Sequence, residues 1–140
     1  MYVLTLTVCN QSRISGPLLD RIDIQIEVGP VDPEILAADA NGESSPVIAA
    51  RVQAATDVQL QRQGKRNQYL TTREIDQLCK PDKPGKAKIK ISMERFHWSG
   101  RAYHRILRVA RTIADLAGSE RILEPHVMEA IQYRRALRDV

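Results

Sequence analysis

Two arginines stand where a guanidinium could meet a phosphate. Arg21 lies in Ser15-Gly16-Pro17-Leu18-Leu19-Asp20-Arg21-Ile22-Asp23. Leu18 and Leu19 should anchor a short turn in a core, which holds Arg21 at the edge of the strand that follows. An arginine fixed on such an edge can project into a neighbouring subunit and neutralise charge on a transferring phosphoryl group, an effect of roughly 10³–10⁵ in rate. The same spacing also suits a local salt bridge to Asp23. Arg101 lies in Ser99-Gly100-Arg101, at the start of a helix that Ser99 can cap. The N–H groups of a helix start attract anions. A cation in the first turn opposes the helix dipole, so Arg101 is either an ordinary surface arginine or the partner of an anion such as a nucleotide phosphate.

Other chemistries find less support. Ser15, Ser92 and Ser99 lack a nucleophile-elbow context. His97, His104 and His126 do not have metal-ligand spacing relative to one another or to Cys9 and Cys79. Two cysteines make neither a disulfide framework nor a complete zinc site, and reduced thiols in a cytoplasm are the default expectation. No Gly-x-x-x-x-Gly-Lys-Ser/Thr loop occurs, and no apolar strand ends in paired acids for Mg²⁺. No apolar run approaches the ~20 residues of a membrane helix. With aromatic residues at 4% of the chain, base-stacking modules are disfavoured.

The elements that must position the two arginines can be read along the chain. Leu4, Leu6 and Val8 alternate with Thr5 and Thr7, a short strand or frayed end with neither the basic start nor the cleavage site of a signal peptide. Ile22, Ile24, Ile26 and Val28 alternate with polar residues as a strand with one apolar face, ended by Gly29-Pro30. Val31 to Ser45 reads as a linker with room for a turn of helix at Glu34–Ala38. A first long helix is predicted over Pro46–Gln63, capped by Ser45 and stopped by Gly64, with Val47, Ile48, Val52, Ala55, Val58 and Leu60 on a broad apolar side. A short helix begins at Thr71 or Thr72 and ends before Pro81. A third spans Pro84–Phe96 with Ile89, Ile91, Met93 and Phe96 inward. The clearest, Ser99–Ala117, repeats Ala102, Ile106, Val109, Ile113 and Leu116 at spacings of four and three, with Arg101, Arg105 and Arg108 on another face. A last helix starts at Glu124-Pro125, turns Val127 and Ile131 inward, and carries Arg134, Arg135 and Arg138 near its end, where cations suit the dipole.

Charge follows this division. Residues 1–82 hold 8 basic and 11 acidic side chains, and residues 83–140 hold 13 basic and 6 acidic. Fifteen of the 21 basic residues are arginine, the side chain suited to forked recognition of phosphate and carboxylate. The basic half implies either solvated helix faces or a polyanionic partner.

With these segments in view a resemblance becomes specific. Ser12-Arg13-Ile14-Ser15-Gly16-Pro17-Leu18-Leu19-Asp20-Arg21-Ile22-Asp23, Arg101-Ala102-Tyr103-His104-Arg105-Ile106-Leu107-Arg108-Val109-Ala110-Arg111-Thr112-Ile113-Ala114-Asp115-Leu116 and Glu129-Ala130-Ile131-Gln132-Tyr133-Arg134 resemble the C-terminal part of the magnesium-chelatase-like AAA+ ATPases of the ComM/YifB family. The resemblance implies a mainly α fold: a small helical bundle, the AAA+ lid, with one or two short N-terminal strands left from the ATPase core. It implies an atypical segment at 1–11, the end of the core with the arginine-finger loop and strand at 12–30, a linker at 31–45 and the lid at 46–140. It maps Arg21 to the arginine finger acting in trans, and Arg101, with Ser99, to the sensor 2 site that touches the terminal phosphate of the same subunit's nucleotide. The family usually has Ala where this chain has Gly100, which loosens that turn.

The resemblance also sets expectations about the larger protein. The full-length family member binds ATP with Mg²⁺ through Walker motifs and sensor 1 upstream of Ser12, forms a hexamer of AAA+ subunits, and acts on DNA in branch migration and natural transformation. Those motifs are not in these 140 residues. The chain then reads as a truncated piece, a mis-assigned start or a gene remnant. It is expected to be inactive as an ATPase alone, to bind no cofactor tightly alone, to be cytoplasmic without membrane contact, and to self-associate through an unpaired edge at Ile22–Val28. Two rival readings rest on the arginine stripe and basic tail: a stand-alone helical nucleic-acid-binding module, and a protein-interaction adaptor.

Overall fold

In the computed structural model the described residues are 3–4, 21–26, 28–30 and 42–135. Two short strands, β1 (Val3–Leu4) and β2 (Ile24–Gln25), pair in parallel with Val3 opposite Ile24. Helices follow: α1 (Ser45–Gln63), a 3-10 turn (Asn67–Tyr69), α2 (Thr72–Leu78), α3 (Lys83–Phe96), α4 (Gly100–Leu116) and α5 (Glu124–Arg135). The fold is mainly α, a small helical bundle with two minimal strands. The N-terminal motif up to Asp20 and the linker at 31–41 lie outside the described residues.

The starts and stops have local causes. Ser44, not the expected Ser45, is the cap residue of α1, and its side chain makes no capping bond; Pro46 sits in the first turn. Gly64, at φ 73°, takes the left-handed conformation that ends α1, its N–H bonding the Leu60 carbonyl at 2.8 Å. Thr71 and Glu74 form a reciprocal capping box on α2. Asp82 serves two helices: Oδ1 accepts from Gly85 N at the start of α3 and Oδ2 from Glu124 N at the start of α5. Ser99 caps α4, as its position predicts, its Oγ accepting from Ala102 N at 3.4 Å. His97 ends α3 at φ 50°, an unusual conformation for a residue with a Cβ.

The core forms around α4. Ile75 and Cys79 of the α2 segment, Ile89 of α3, Ile106 and Leu107 of α4, Ile122 and Val127 are fully buried together. Gly85 lets α3 and α5 approach: a Cβ there would stand 2.7 Å from Asp82 Oδ1 and 3.0 Å from Val127 Cγ2. Periodicity placed the buried faces of α4 and α5 well, with Ala102, Ile106, Val109, Val127 and Ile131 all buried.

Elsewhere the apolar pattern overstates burial. Of the six residues expected inward on α1, only Ala55 is buried; Val47, Ile48, Val52, Val58 and Leu60 are exposed, and the other buried position is the polar Gln59. Ile91 of α3 is 58% exposed and Leu116 of α4 is 42% exposed. The expected strand Ile22–Val28 contracts to Ile24–Gln25, and Ile26 and Val28 face solvent. Hydropathy marks these side chains as apolar but does not show how far a neighbouring segment covers them. Among the described residues, no helix is long and apolar enough to cross a membrane.

Candidate functional site

Arg21 immediately precedes a segment clamped by two lid arginines. Arg105 of α4 donates to Asp23 Oδ1, and Arg134 of α5 donates to the Ile22 carbonyl at 3.4 Å. The local salt bridge between Arg21 and Asp23 is therefore not formed: Asp23 is taken by Arg105. Arg21 itself is exposed and makes no ion pair or hydrogen bond with a described residue. Ile22 is buried, so the backbone beside Arg21 is anchored while its side chain is not.

Arg101 lies one helical turn before Arg105 on the same face of α4. It is exposed, makes no ion pair with a described residue, and shares the first turn of α4 with no acidic side chain. Ser99 Oγ takes the Ala102 N–H and the Ser99 carbonyl takes the Tyr103 N–H at 3.3 Å. The N–H groups of Gly100 and Arg101 are those a helix start leaves without intrahelical acceptors. A guanidinium, two such N–H groups and no competing carboxylate fit the charge of a phosphate. No group of three His, Cys, Asp or Glu side chains among the described residues is placed to hold a metal ion.

The Asp23–Arg105 pair thus joins the strand that carries Arg21 to the helix that carries Arg101. The expected free stripe of Arg101, Arg105 and Arg108 divides in the structure. Arg101 alone stays exposed, Arg105 is spent on Asp23, and Arg108 reaches the Leu70 carbonyl at 3.3 Å. Arg134, read from the sequence as a cation near the end of the last helix, is 4% exposed and lies over the Trp98 ring at 5.8 Å. A cavity of about 540 Å³ opens between β2, α1, α4 and α5, lined by Arg66 and Arg108 but by neither Arg21 nor Arg101.

Sequence reasoning missed a buried polar cluster at the far end of α4. The Asp115 carboxylate has no exposed side-chain surface and accepts from Arg62 Nη1 at 2.6 Å, Arg62 Nη2 at 3.0 Å, Arg111 Nε at 3.0 Å and Asn67 Nδ2 at 2.9 Å. Arg111 continues to the Glu120 and Ser119 carbonyls, and Gln59 Oε1 accepts from Asn67 N. Burial pulls the Arg111 guanidinium below its ordinary range, and Asp115 opposes that shift. The available signal was the i, i+4 spacing of Arg111 and Asp115 between the small Ala110 and Ala114. The cluster joins the C-terminal ends of α1 and α4, with one carboxylate shared between two guanidinium groups.

The histidines have structural roles. His104 bonds the Gly100 carbonyl and Asp76, and His126 Nδ1 accepts from Leu123 N at the start of α5.

A helical bundle with a short strand segment clamped to it is the architecture of a small lid-type module. The family described as magnesium chelatase, subunit ChlI C-terminal, matches residues 42–134. The chain belongs to that family, as the C-terminal part of a ComM/YifB-like, magnesium-chelatase-related protein. It is 40% identical to competence protein ComM of Haemophilus influenzae over 129 residues, 91% of this chain and 25% of that protein. It is 40% identical to the uncharacterized protein YifB of Escherichia coli over 124 residues, 88% of this chain and 24% of that one. An uncharacterized Mycobacterium tuberculosis protein, Rv2897c, is 29% identical over 128 residues. The chain spans about a quarter of the length of these curated relatives.

Proposed function

We propose that this domain is the nucleotide-sensing lid of a ring-forming AAA+ ATPase that acts on DNA, in the manner of the branch-migrating motors of natural transformation. Arg21 reaches the nucleotide of an adjacent subunit in trans. Arg101, on the turn capped by Ser99, reads the terminal phosphate in cis. ATP with Mg²⁺ is held by Walker motifs elsewhere in the larger protein, and the domain contributes sensing and subunit contact rather than hydrolysis of its own. The name of the Haemophilus relative, a competence protein, supports the DNA-directed part of this reading.

The observation that carries the proposal is the state of the two guanidinium groups. Both are exposed and make no ion pair with a described residue, while Asp23, the carboxylate closest in sequence after Arg21, is occupied by Arg105. The clamp at Ile22 and Asp23 supplies the rigidity that a group acting across a subunit boundary needs.

The test is reconstitution of this chain with an ATP-binding core of the same family. Arg21→Ala should lower ATP hydrolysis of the assembly by about 10³-fold, and Arg21→Lys should not restore it, because a lysine lacks the planar fork. Arg101→Ala should weaken nucleotide-dependent assembly without unfolding the chain. An unchanged hydrolysis rate with Arg21→Ala refutes the finger assignment.

A further inference from the structure

Five of the six lysines of the chain fall between residues 80 and 90: Lys80, Lys83, Lys86, Lys88 and Lys90. All five are exposed. The nucleotide-sensing role uses none of them. Lys83 and Lys86 are also poorly placed for the helix that bears them, since α3 has no acidic residue in its first turn and lysines there oppose its dipole. Lys88 and Lys90 each make one exposed ion pair, with Glu124 at 3.5 Å and with Glu94 at 4.0 Å. Lys83 and Lys86 have no ion pair with a described residue.

Lys83, Lys86 and Lys90 follow the spacing of one helix face and cover about 10 Å along it. They flank an open groove of about 600 Å³ between α3 and α4, whose floor is Ile89, Met93 and Tyr103. We propose that this groove is a docking site for an acidic amphipathic helix of a partner protein. Its apolar residues would rest on Met93 and Tyr103 while its carboxylates meet the lysine row.

Charge and shape together select this occupant. A cationic rim alone would suit any polyanion, but a nucleic-acid backbone draws little from an apolar floor. That floor accepts the i, i+3, i+4 anchors of a helix, and methionine adapts to varied anchors. The cations of the rim are all lysine, three against the single carboxylate of Glu94, although arginines far outnumber lysines in this chain. Lysine stems extend the apolar walls while their ammonium heads stay in water. Arginine forks are the side chains favoured for phosphate.

The experiment uses the whole chain and three fluorescent probes. The first is a stapled helical peptide with leucine on one face and glutamate elsewhere. The second has lysine replacing every glutamate, and the third is single-stranded oligo-dT. The acidic peptide should bind at least about tenfold more tightly than the basic one at about 50 mM salt, and lose affinity at about 500 mM. The double variant Lys86→Glu, Lys90→Glu should weaken it about three- to tenfold, and Met93→Ser about tenfold. Ile91→Ser, at an exposed position on another side of α3, should leave binding unchanged. Circular dichroism checks that each variant is folded, and neutralising Lys83, Lys86 and Lys90 to Gln provides a second set if charge reversal disrupts α3. The proposal is overturned by equal binding of the two peptides, by no binding of the acidic one, by indifference to Met93→Ser, or by oligo-dT binding more tightly and displacing it.

Discussion

Burial pushes the Cys79 thiol up to about 11, while the nearby Arg111 and Arg62 pull against that shift less strongly. The side chain is fully enclosed beside Ile75 and Ile122. A raised thiol pKa means a scarce thiolate at neutral pH and an inert sulfur. Because the folded value lies above the ordinary one of 9.0, this group favours the fold below about pH 9 and that contribution fades as pH approaches 11. Native protein treated with iodoacetamide at pH 8 should therefore leave Cys79 unmodified by peptide mass spectrometry, and denaturant should expose it at once. Rapid native alkylation would contradict the packing. Arg21 and Arg101, by contrast, are exposed and make no ion pair with a described residue.

Helix α2 is just under two turns long and depends on its start. Glu74 holds the Thr71 N–H and hydroxyl and pairs with Lys65 at 2.7 Å. The Lys65 hydrogen bond first, then the two bonds from Thr71, lower its carboxyl to about 2. A depressed carboxyl pKa supports the fold above its unfolded value, near 4.3, and loses that support as pH falls toward 2. Wild-type thermal stability should decline across this window more steeply than that of Glu74→Gln, which cannot titrate. Parallel pH curves for the two proteins would show that the capping box does not hold α2. At α3 the limiting feature is proximity. Gly85→Ala must push aside Asp82, which caps two helices, and should cost about 1–3 kcal/mol in a denaturant titration; an unchanged midpoint would mean that α3 and α5 can part freely.

Across the molecule the fastening is uneven. The middle of the bundle is a continuous apolar core, whereas α1 lays down only Ala55 and Gln59 and exposes most of its aliphatic side chains. Its attachment therefore falls on the Arg62–Asp115–Asn67 cluster at its C-terminal end. Asp115→Ala leaves Arg111 and Arg62 buried or half-buried without their counter-charge, a change worth about 3–5 kcal/mol. Hydrogen exchange should then accelerate over the whole of α1, which in the wild type is expected only for its N-terminal half. If α1 exchange is unaltered while α4 loosens, the cluster serves α4 alone.

Local chemistry and periodicity determined much of this protein by themselves. The positions of five helices, the stop at Gly64, the Ser99 cap, the inward faces of α4 and α5 and the family motifs around Arg21 and Arg101 are all written in near-neighbour spacing. Tertiary structure decided which guanidinium groups stay free. Arg101, Arg105 and Arg108 look alike in one dimension, yet Asp23, 82 residues away along the chain, claims the second and the Leu70 carbonyl the third. It also decided that Val47, Ile48 and Val52 face outward and that Asp115 sits among arginines. Helix spacing records which side chains share a face, but only the packing of distant segments determines whether that face is covered, and whether a charge meets its opposite before it meets a ligand.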